Sequence, residues 1–107
     1  STISIVAVFK RDRAETIVAE ARYSYDKGEQ TYEMAFIVDE RYQNRGISTF
    51  LLNYLLKIAQ ERGIHTLSAT VLPQNEKMLN VFLKADITPT SKYEEGIIRM
   101  HFNLDAL

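Results

Sequence analysis

The chain has 107 residues, the length of one domain, and apolar residues make up 46% of it, as in globular rather than disordered proteins. Its 13 Lys and Arg residues against 14 Asp and Glu residues give a net charge of −1. Without a basic excess, a nucleic-acid partner is not expected. The absence of cysteine excludes disulfides, thiolate catalysis and cysteine-bound zinc, and it fits a cytoplasmic location.

No segment predicts a membrane span. The longest mostly apolar stretch, residues 50–59, contains Asn53 and Lys57 and is far shorter than the ~20 residues of a membrane helix. The chain begins in a strand-like pattern without a charged leader and an apolar core. Neither a membrane partner nor a secretion signal is therefore expected.

Alternating apolar residues predict three strands, over residues 3–9, 16–25 and 31–39. Short loops join them, so the strands should be antiparallel. The third strand is expected to present Tyr32, Met34, Phe36 and Val38 on one face and Glu33, Ala35 and Ile37 on the other.

The apolar period then becomes helical. In residues 47–58, apolar side chains recur at intervals of three and four residues, which predicts a helix. Gly63 is a typical helix C-terminal signal. A strand over 65–72, a second helix capped by Asn75 and a last strand over 97–104 complete the chain. The fold class predicted is a mixed, mostly antiparallel α/β sheet with a central strand–helix–strand crossover.

The junction between the third strand and the first helix is the best candidate for chemistry. Ligands bind at the carboxyl ends of strands in open α/β sheets, and a helix N-terminus suits a phosphate. Gly46 would allow close approach of the backbone, Arg45 adds charge, and Ser48 and Thr49 add hydroxyl donors. The alternative is structural, with Gly46 as a turn and Ser48 or Thr49 as a helix cap.

Two motifs resemble the GNAT superfamily of CoA-dependent N-acyltransferases. Its signature loop, Gln/Arg-x-x-Gly-x-Gly/Ala, is matched by residues 43–48, with Ser48 as the final small residue. Its second motif, a strand followed by Asn and then Met or Ala three residues on, is matched up to Asn75 and Met78. Residues 21–23 and 33–38 resemble bacterial protein-lysine acetyltransferases of the Pat type. The resemblance covers residues 3–85, most of the chain.

The resemblance implies acetyl-CoA as cosubstrate. No metal is expected, because His65 and His101 are isolated and have no ligand spacing. The third strand would pair with the pantetheine arm, the following loop would hold the pyrophosphate, and the second helix would add two contacts. The cofactor-binding residues expected are Phe36, Ile37, Val38, Gln43, Asn44, Arg45, Gly46, Ile47, Ser48, Thr49, Asn75 and Phe82.

Two further positions depart from the family pattern. Phe82 stands where many members have a tyrosine that protonates the CoA thiolate, although lysine-modifying members often lack it too. Asp86 and Ile87 replace the usual Gly-Phe, so the sheet is expected to continue differently there.

Glu33 is the predicted catalytic base. If the hairpin pairs Tyr23 with Glu33, this carboxylate shares a face with Ala19 and Ala21, where burial would disfavour its charged form. Related lysine acetyltransferases carry their base at this strand position. The alternative is an exposed carboxylate near the hairpin.

Three functions remain open from the sequence. The first is direct acetyl transfer to an amine, with a protein lysine as one candidate acceptor. The second is a non-catalytic acyl-CoA-binding domain that regulates a fused enzyme, and the third is a structural or dimerising domain that binds no CoA. GNAT domains usually begin with a strand and two helices not found here, so residues 1–107 are expected to be one domain of a longer chain. A fused parent enzyme or a second copy would then cover the apolar sheet face.

Overall fold

The computed structural model describes residues 2–42 and 46–107. They form a mixed α/β fold with six strands and two α-helices, which confirms the predicted fold class. Short 3₁₀ turns follow β3 and β6, at Glu40–Tyr42 and Leu104–Ala106. The elements are β1 Thr2–Arg11, β2 Ala14–Asp26, β3 Thr31–Val38, α1 Ile47–Glu61, β4 Thr66–Val71, α2 Glu76–Leu83, β5 Thr90–Glu94 and β6 Ile97–Asn103.

The strands form a single sheet in the order β1-β2-β3-β4-β6-β5. All neighbours are antiparallel except β3 and β4, which α1 connects and which run parallel. These two strands pair only at Tyr32 with Leu67 and at Glu33 with Ser68. Beyond that point they separate, and we call the opening between residues 34–38 and residues 69–71 the strand gap.

Both helices pack against the same face of the sheet. Apolar side chains at period two in β2, β3, β4 and β6 meet the apolar faces of α1 and α2 in one buried cluster. Phe82 of α2 contacts Phe36 of β3 and Phe102 of β6, with ring centroids 5.9 Å and 5.8 Å apart. Fully burying each large apolar side chain stabilises the fold by roughly 1.5–3 kcal/mol. The α1 residues in this core are Leu51, Leu52, Leu55, Leu56 and Ala59.

The opposite face, which we call the open face, has no helix packed on it among the described residues. It carries the other side chains of each strand, including Glu33, Ala35 and Ile37 of β3, as the alternation predicted. Ile37 is 63% exposed. None of the helices built from the described residues has the length and apolar character needed to cross a membrane.

Gly63 ends α1 as predicted. Its φ of 82° is in the left-handed region. The Gly63 N–H donates to the Gln60 carbonyl and the Ile64 N–H donates to the Ala59 carbonyl, both at 3.0 Å. These two bonds form a Schellman motif, which satisfies carbonyls that the helix end would otherwise leave without partners.

The predicted hairpin register between β2 and β3 is wrong by one residue. Tyr23 pairs with Met34, and Glu33 pairs with Ser24. The reason is the four-residue loop after Asp26, whose carboxylate accepts hydrogen bonds from the N–H groups of Gly28 and Glu29. A slip of one residue moves a side chain to the other face of the sheet. Glu33 therefore lies on the open face and not beside Ala19 and Ala21.

Candidate functional site

The strand gap is the central feature of the site. It arises because β3 leaves β4 after Glu33 while continuing to pair with β2 as far as Val38. A strand edge without a neighbour can pair with an extended ligand through its main chain. A cavity of about 230 Å³ occupies the gap. Its lining includes Ala35, which is exposed, and Met78 of α2.

The N-terminus of α1 lies beside the gap. Gly46 is the N-cap residue, and its φ of 78° is a left-handed conformation that glycine adopts without strain. Among the described residues, no side chain caps this helix end. The structural alternative, in which Ser48 or Thr49 is the cap, is therefore not what the structure shows. The N–H groups of a helix N-terminus suit an anion.

A larger cleft joins these two features. Its volume is about 590 Å³, and it shares Phe36, Asn75 and Met78 with the smaller cavity. One wall comes from the end of β3 and Tyr42, the second from the first turn of α1, and the third from α2 and its C-terminal flank. The lining residues are Phe36, Ile37, Val38, Tyr42, Gly46, Ile47, Ser48, Thr49, Asn75, Lys77, Met78, Asn80, Val81 and Lys84.

Asn75 has two roles that its side chain can perform at the same time. Its Oδ1 accepts a hydrogen bond of 3.1 Å from the Met78 N–H and so caps α2, as predicted. The side-chain NH₂ group is not part of this cap and can donate to a ligand in the cleft. The cap also fixes the side chain where both cavities meet.

Phe82 closes the inner end of the strand gap. It is 2% exposed and lies between the rings of Phe36 and Phe102. It therefore bounds the gap and belongs to the core at once. Its ring has no proton to donate, so a leaving group in the gap cannot be protonated by this side chain.

An ion pair follows directly after β3. Arg41 donates to Asp39 through its main-chain N–H at 2.9 Å, its Nε at 3.1 Å and its Nη2 at 2.9 Å. These hydrogen bonds lower the pKa of Asp39 from 3.8 to about 2. The Arg41 guanidinium lies 5.8 Å from the centre of the Tyr42 ring, which lines the large cleft. The pair thus fixes the chain as it leaves β3 for the cleft wall.

The structure brings together most of the residues that the sequence predicted for the cofactor. Residues 36–38, residues 46–49 and Asn75 line the large cleft, and Phe82 lines the strand gap. Gln43, Asn44 and Arg45 lie outside the described residues.

Sequence reasoning predicted Asn75 and Phe82 but missed other residues of α2 and its C-terminal flank that line the cleft. Lys77, Asn80 and Lys84 line it in addition to Asn75 and Met78. Their spacing of three and four residues places them on one helical face, and that pattern was visible in the sequence. Two lysines on this wall suit a ligand with negative charge.

Glu33 stands at the vertex of the strand gap, on its open-face side. It is the last residue of β3 that pairs with β4, and the gap begins at the next residue. Its side chain is 22% exposed, and its Oε1 accepts a hydrogen bond of 2.7 Å from Arg99 of β6. The apolar surroundings expected from the wrong register are thus replaced by a charged partner.

The two histidines have separate hydrogen-bond partners. His65 Nδ1 lies 2.9 Å from Asp105 Oδ1, and His101 Nδ1 lies 2.8 Å from Ser68 Oγ. Across residues 2–42 and 46–107, no group of three or more potential ligands is placed to hold a metal.

These features define a mixed α/β protein whose cleft suits an extended ligand with a phosphate group. The sequence model of the Acetyltransferase (GNAT) family matches residues 4–86. This span includes the strand gap and both helices. The chain therefore belongs to the GNAT acetyltransferase family, which confirms the predicted resemblance.

Solved structures of this family share the fold. The GNAT domain of S. lividans PAT aligns with a TM-score of 0.76 and 29% identity, over 95% of this chain and 60% of that one. A cAMP-binding acyltransferase from Mycobacterium smegmatis aligns with a TM-score of 0.67 and 27% identity, over 82% of this chain and 27% of that one. A putative acetyltransferase from Salmonella typhimurium, yncA, was solved with its cofactor acetyl-CoA. It aligns with a TM-score of 0.70 and 21% identity, over 85% of this chain and 60% of that one. The chain thus spans less than two thirds of each of these proteins.

Proposed function

We propose that this chain binds acetyl-CoA in the large cleft and transfers the acetyl group to an amine, with a protein lysine as the candidate acceptor. The observation that carries the proposal is the junction of the strand gap with the N-terminus of α1 in one cleft. A gap between strands fits the extended pantetheine arm, and a helix N-terminus fits the pyrophosphate. Family membership and the neighbour solved with acetyl-CoA support this ligand.

Each part of the cofactor has a matching surface in the cleft. The first turn of α1 offers main-chain N–H groups to the pyrophosphate, and Asn75 offers its NH₂ group near the junction of the two cavities. The main chain of residues 36–38 faces the pantetheine amides. The acetyl thioester would then lie in the strand gap, in reach of the vertex at Glu33.

The chemistry follows from this arrangement. Glu33 accepts one proton from the acceptor ammonium, and the neutral amine attacks the thioester carbonyl. A main-chain N–H of β3 stabilises the oxyanion. The C–N bond forms and the C–S bond breaks. The second proton of the nitrogen passes to the CoA thiolate, so no covalent enzyme intermediate is required.

Thermal melting with and without acetyl-CoA tests the binding step. Ligand at a hundred times its Kd stabilises the folded state by about 2.7 kcal/mol, which raises the melting temperature on the order of 10 °C for a chain of this size. If millimolar acetyl-CoA leaves the melting temperature unchanged, the binding site and everything built on it are wrong.

Glu33→Gln tests the base. The expected result is unchanged acetyl-CoA binding with a loss of turnover of at least ~100-fold, because general-base catalysis contributes about that much or more. Glu20→Gln is the matched control, since Glu20 lies on the open face of the next strand and bonds to Ser4 at 2.7 Å. Transfer at the parental rate by the Glu33 variant would remove this residue from the mechanism.

A non-catalytic acyl-CoA-binding domain is the second candidate. One observation favours it: Phe82 bounds the gap without a proton donor. Acetyl transfer to any lysine peptide well above the uncatalysed rate would rule it out. Binding of acetyl-CoA without such transfer would favour it over the enzyme.

A further inference from the structure

The ion pair between Arg99 and Glu33 spans the middle of the sheet. Arg99 Nη2 donates to Glu33 Oε1 at 2.7 Å, and the two residues are 66 positions apart in sequence. Since β4 lies between β3 and β6, the Arg99 side chain reaches across the strand that borders the gap. Arg99 pairs with Thr70 and Glu33 pairs with Ser68, so the contact crosses β4 on the open face.

This pair differs from the other ion pairs of the described residues. Its two side chains are 19% and 22% exposed, whereas in each of the others at least one partner is more than 60% exposed. Water screens such a shielded pair less than a surface pair. We therefore expect this contact to hold the Glu33 carboxylate more firmly than an exposed ion pair would.

The chemistry of the partner suits a base. A guanidinium stays protonated at any ordinary pH, so it does not exchange protons with the carboxylate that it holds. Arg99 bonds Oε1, and Oε2 is not part of this bond. Oε2 can then accept a proton from an incoming ammonium while Oε1 stays anchored.

We propose that Arg99 is a positioning residue for the proposed base. It aims the Glu33 carboxylate at the vertex of the strand gap, where the acceptor nitrogen must meet the thioester. This inference rests on the proposed function. The competing explanation is structural, because the pair also ties β3 to β6 across a β3–β4 ladder of only two residue pairs.

A double-mutant cycle on turnover separates the two explanations. The variants are Arg99→Gln, Glu33→Gln and the double variant, with acetyl-CoA and a peptide containing one internal lysine as substrates. The chain has no cysteine, so a thiol reagent reports released CoA without background from the protein. Each variant is first checked for folding by its melting temperature and for ligand binding by the shift with acetyl-CoA.

If Arg99 acts through Glu33, its loss should lower kcat about tenfold to a hundredfold in the parent and change it little in the Glu33→Gln background. The KM for acetyl-CoA should stay the same, since neither residue lines the large cleft. Arg99→Lys keeps the positive charge on a shorter side chain, so its kcat should lie between those of Arg99→Gln and the parent. Arg22→Gln, an exposed arginine on the same open face, should leave kcat at the parental value.

The failures can be told apart. Equal losses of kcat on removing Arg99 in both backgrounds would show that it acts independently of Glu33, and the inference would be overturned while the proposed base stands. Parental turnover in Glu33→Gln would overturn the base. No transfer by the parent would overturn both. If Arg99→Gln does not fold, the same cycle with Arg99→Lys decides: a loss that disappears in the Glu33→Gln background supports positioning, and a loss that remains refutes it.

Discussion

Replacing Gly46 by alanine tests whether the N-terminus of α1 is shaped for a ligand. Gly46 has φ 78° at the N-terminus, and Gly63 has φ 82° just beyond the C-terminus of the same helix. A Cβ added at either position meets no atom of residues 2–42 or 46–107 within 4 Å. The two substitutions therefore carry the same backbone strain and no steric clash, which makes Gly63→Ala a matched control.

The cost to folding follows from the backbone alone. A left-handed conformation costs an L-residue roughly 1–2 kcal/mol, and the smaller entropy of the unfolded alanine chain offsets a part of it. We expect each variant to lose about 1 kcal/mol of unfolding free energy, or about 4 °C in melting temperature for a chain of this length.

The effect on the ligand should differ between the two variants. Gly46 lines the large cleft, whereas Gly63 does not. If alanine at position 46 shifts the first turn enough to lose one hydrogen bond to a charged phosphate, about 1.5–3 kcal/mol of binding is lost, which is tenfold or more in Kd. Gly63→Ala should bind acetyl-CoA as the parent does.

Urea unfolding gives the stability of each variant, and calorimetric titration with acetyl-CoA gives the Kd. Equal Kd values in the parent and both variants would refute the expected dependence of acetyl-CoA binding on the backbone conformation at position 46. Unchanged stability in Gly46→Ala beside a loss in Gly63→Ala would refute the strain argument for position 46.

Three further predictions follow from the site. Asn75→Asp keeps the oxygen that caps α2 but loses the amide donor, so we expect parental unfolding free energy with weaker acetyl-CoA binding by titration; a large loss of stability would contradict this division of roles. Lys84→Gln should reduce both the affinity for acetyl-CoA and its dependence on salt, whereas Lys57→Gln, which lies outside the cleft, should change neither. The pKa of Asp39 is lowered from 3.8 to about 2 by Arg41, so the carboxylate stabilises the fold above pH ~4 and loses that contribution as the pH falls toward 2. Urea midpoints of Asp39→Asn and the parent should thus differ at neutral pH and converge near pH 2, and a constant difference would count against the ion pair.

Local patterns were sufficient to predict the helices and most strands. The change from period two to period 3.6 after Val38, the stop at Gly63 and the cap at Asn75 are all encoded within a few residues of one another. The register of the first hairpin was not predictable in the same way. It depends on how Asp26 closes its loop. Because β3 carries apolar residues on both faces, alternation alone did not decide which face joins the core.

The site was predicted in part for a related reason. The loop motif and Asn75 are contiguous signals, so sequence reasoning found them. The contact between Glu33 and Arg99 depends on the strand order β3-β4-β6, which places residues 66 positions apart on one face. Neither residue's neighbours in the sequence indicate the other, and only the sheet topology brings them together.

The strand gap has a consequence for how two substrates would reach each other. Ala35, which is exposed on the open face, and Met78, on the helix side, both border the gap, so we expect an entrance on each face of the sheet. A cofactor that occupies the helix side leaves the other entrance accessible to a second molecule. In the proposed reaction, acetyl-CoA and the acceptor amine can therefore be bound at the same time. The product CoA should be a competitive inhibitor with respect to acetyl-CoA, and its inhibition should not be competitive with respect to the acceptor amine.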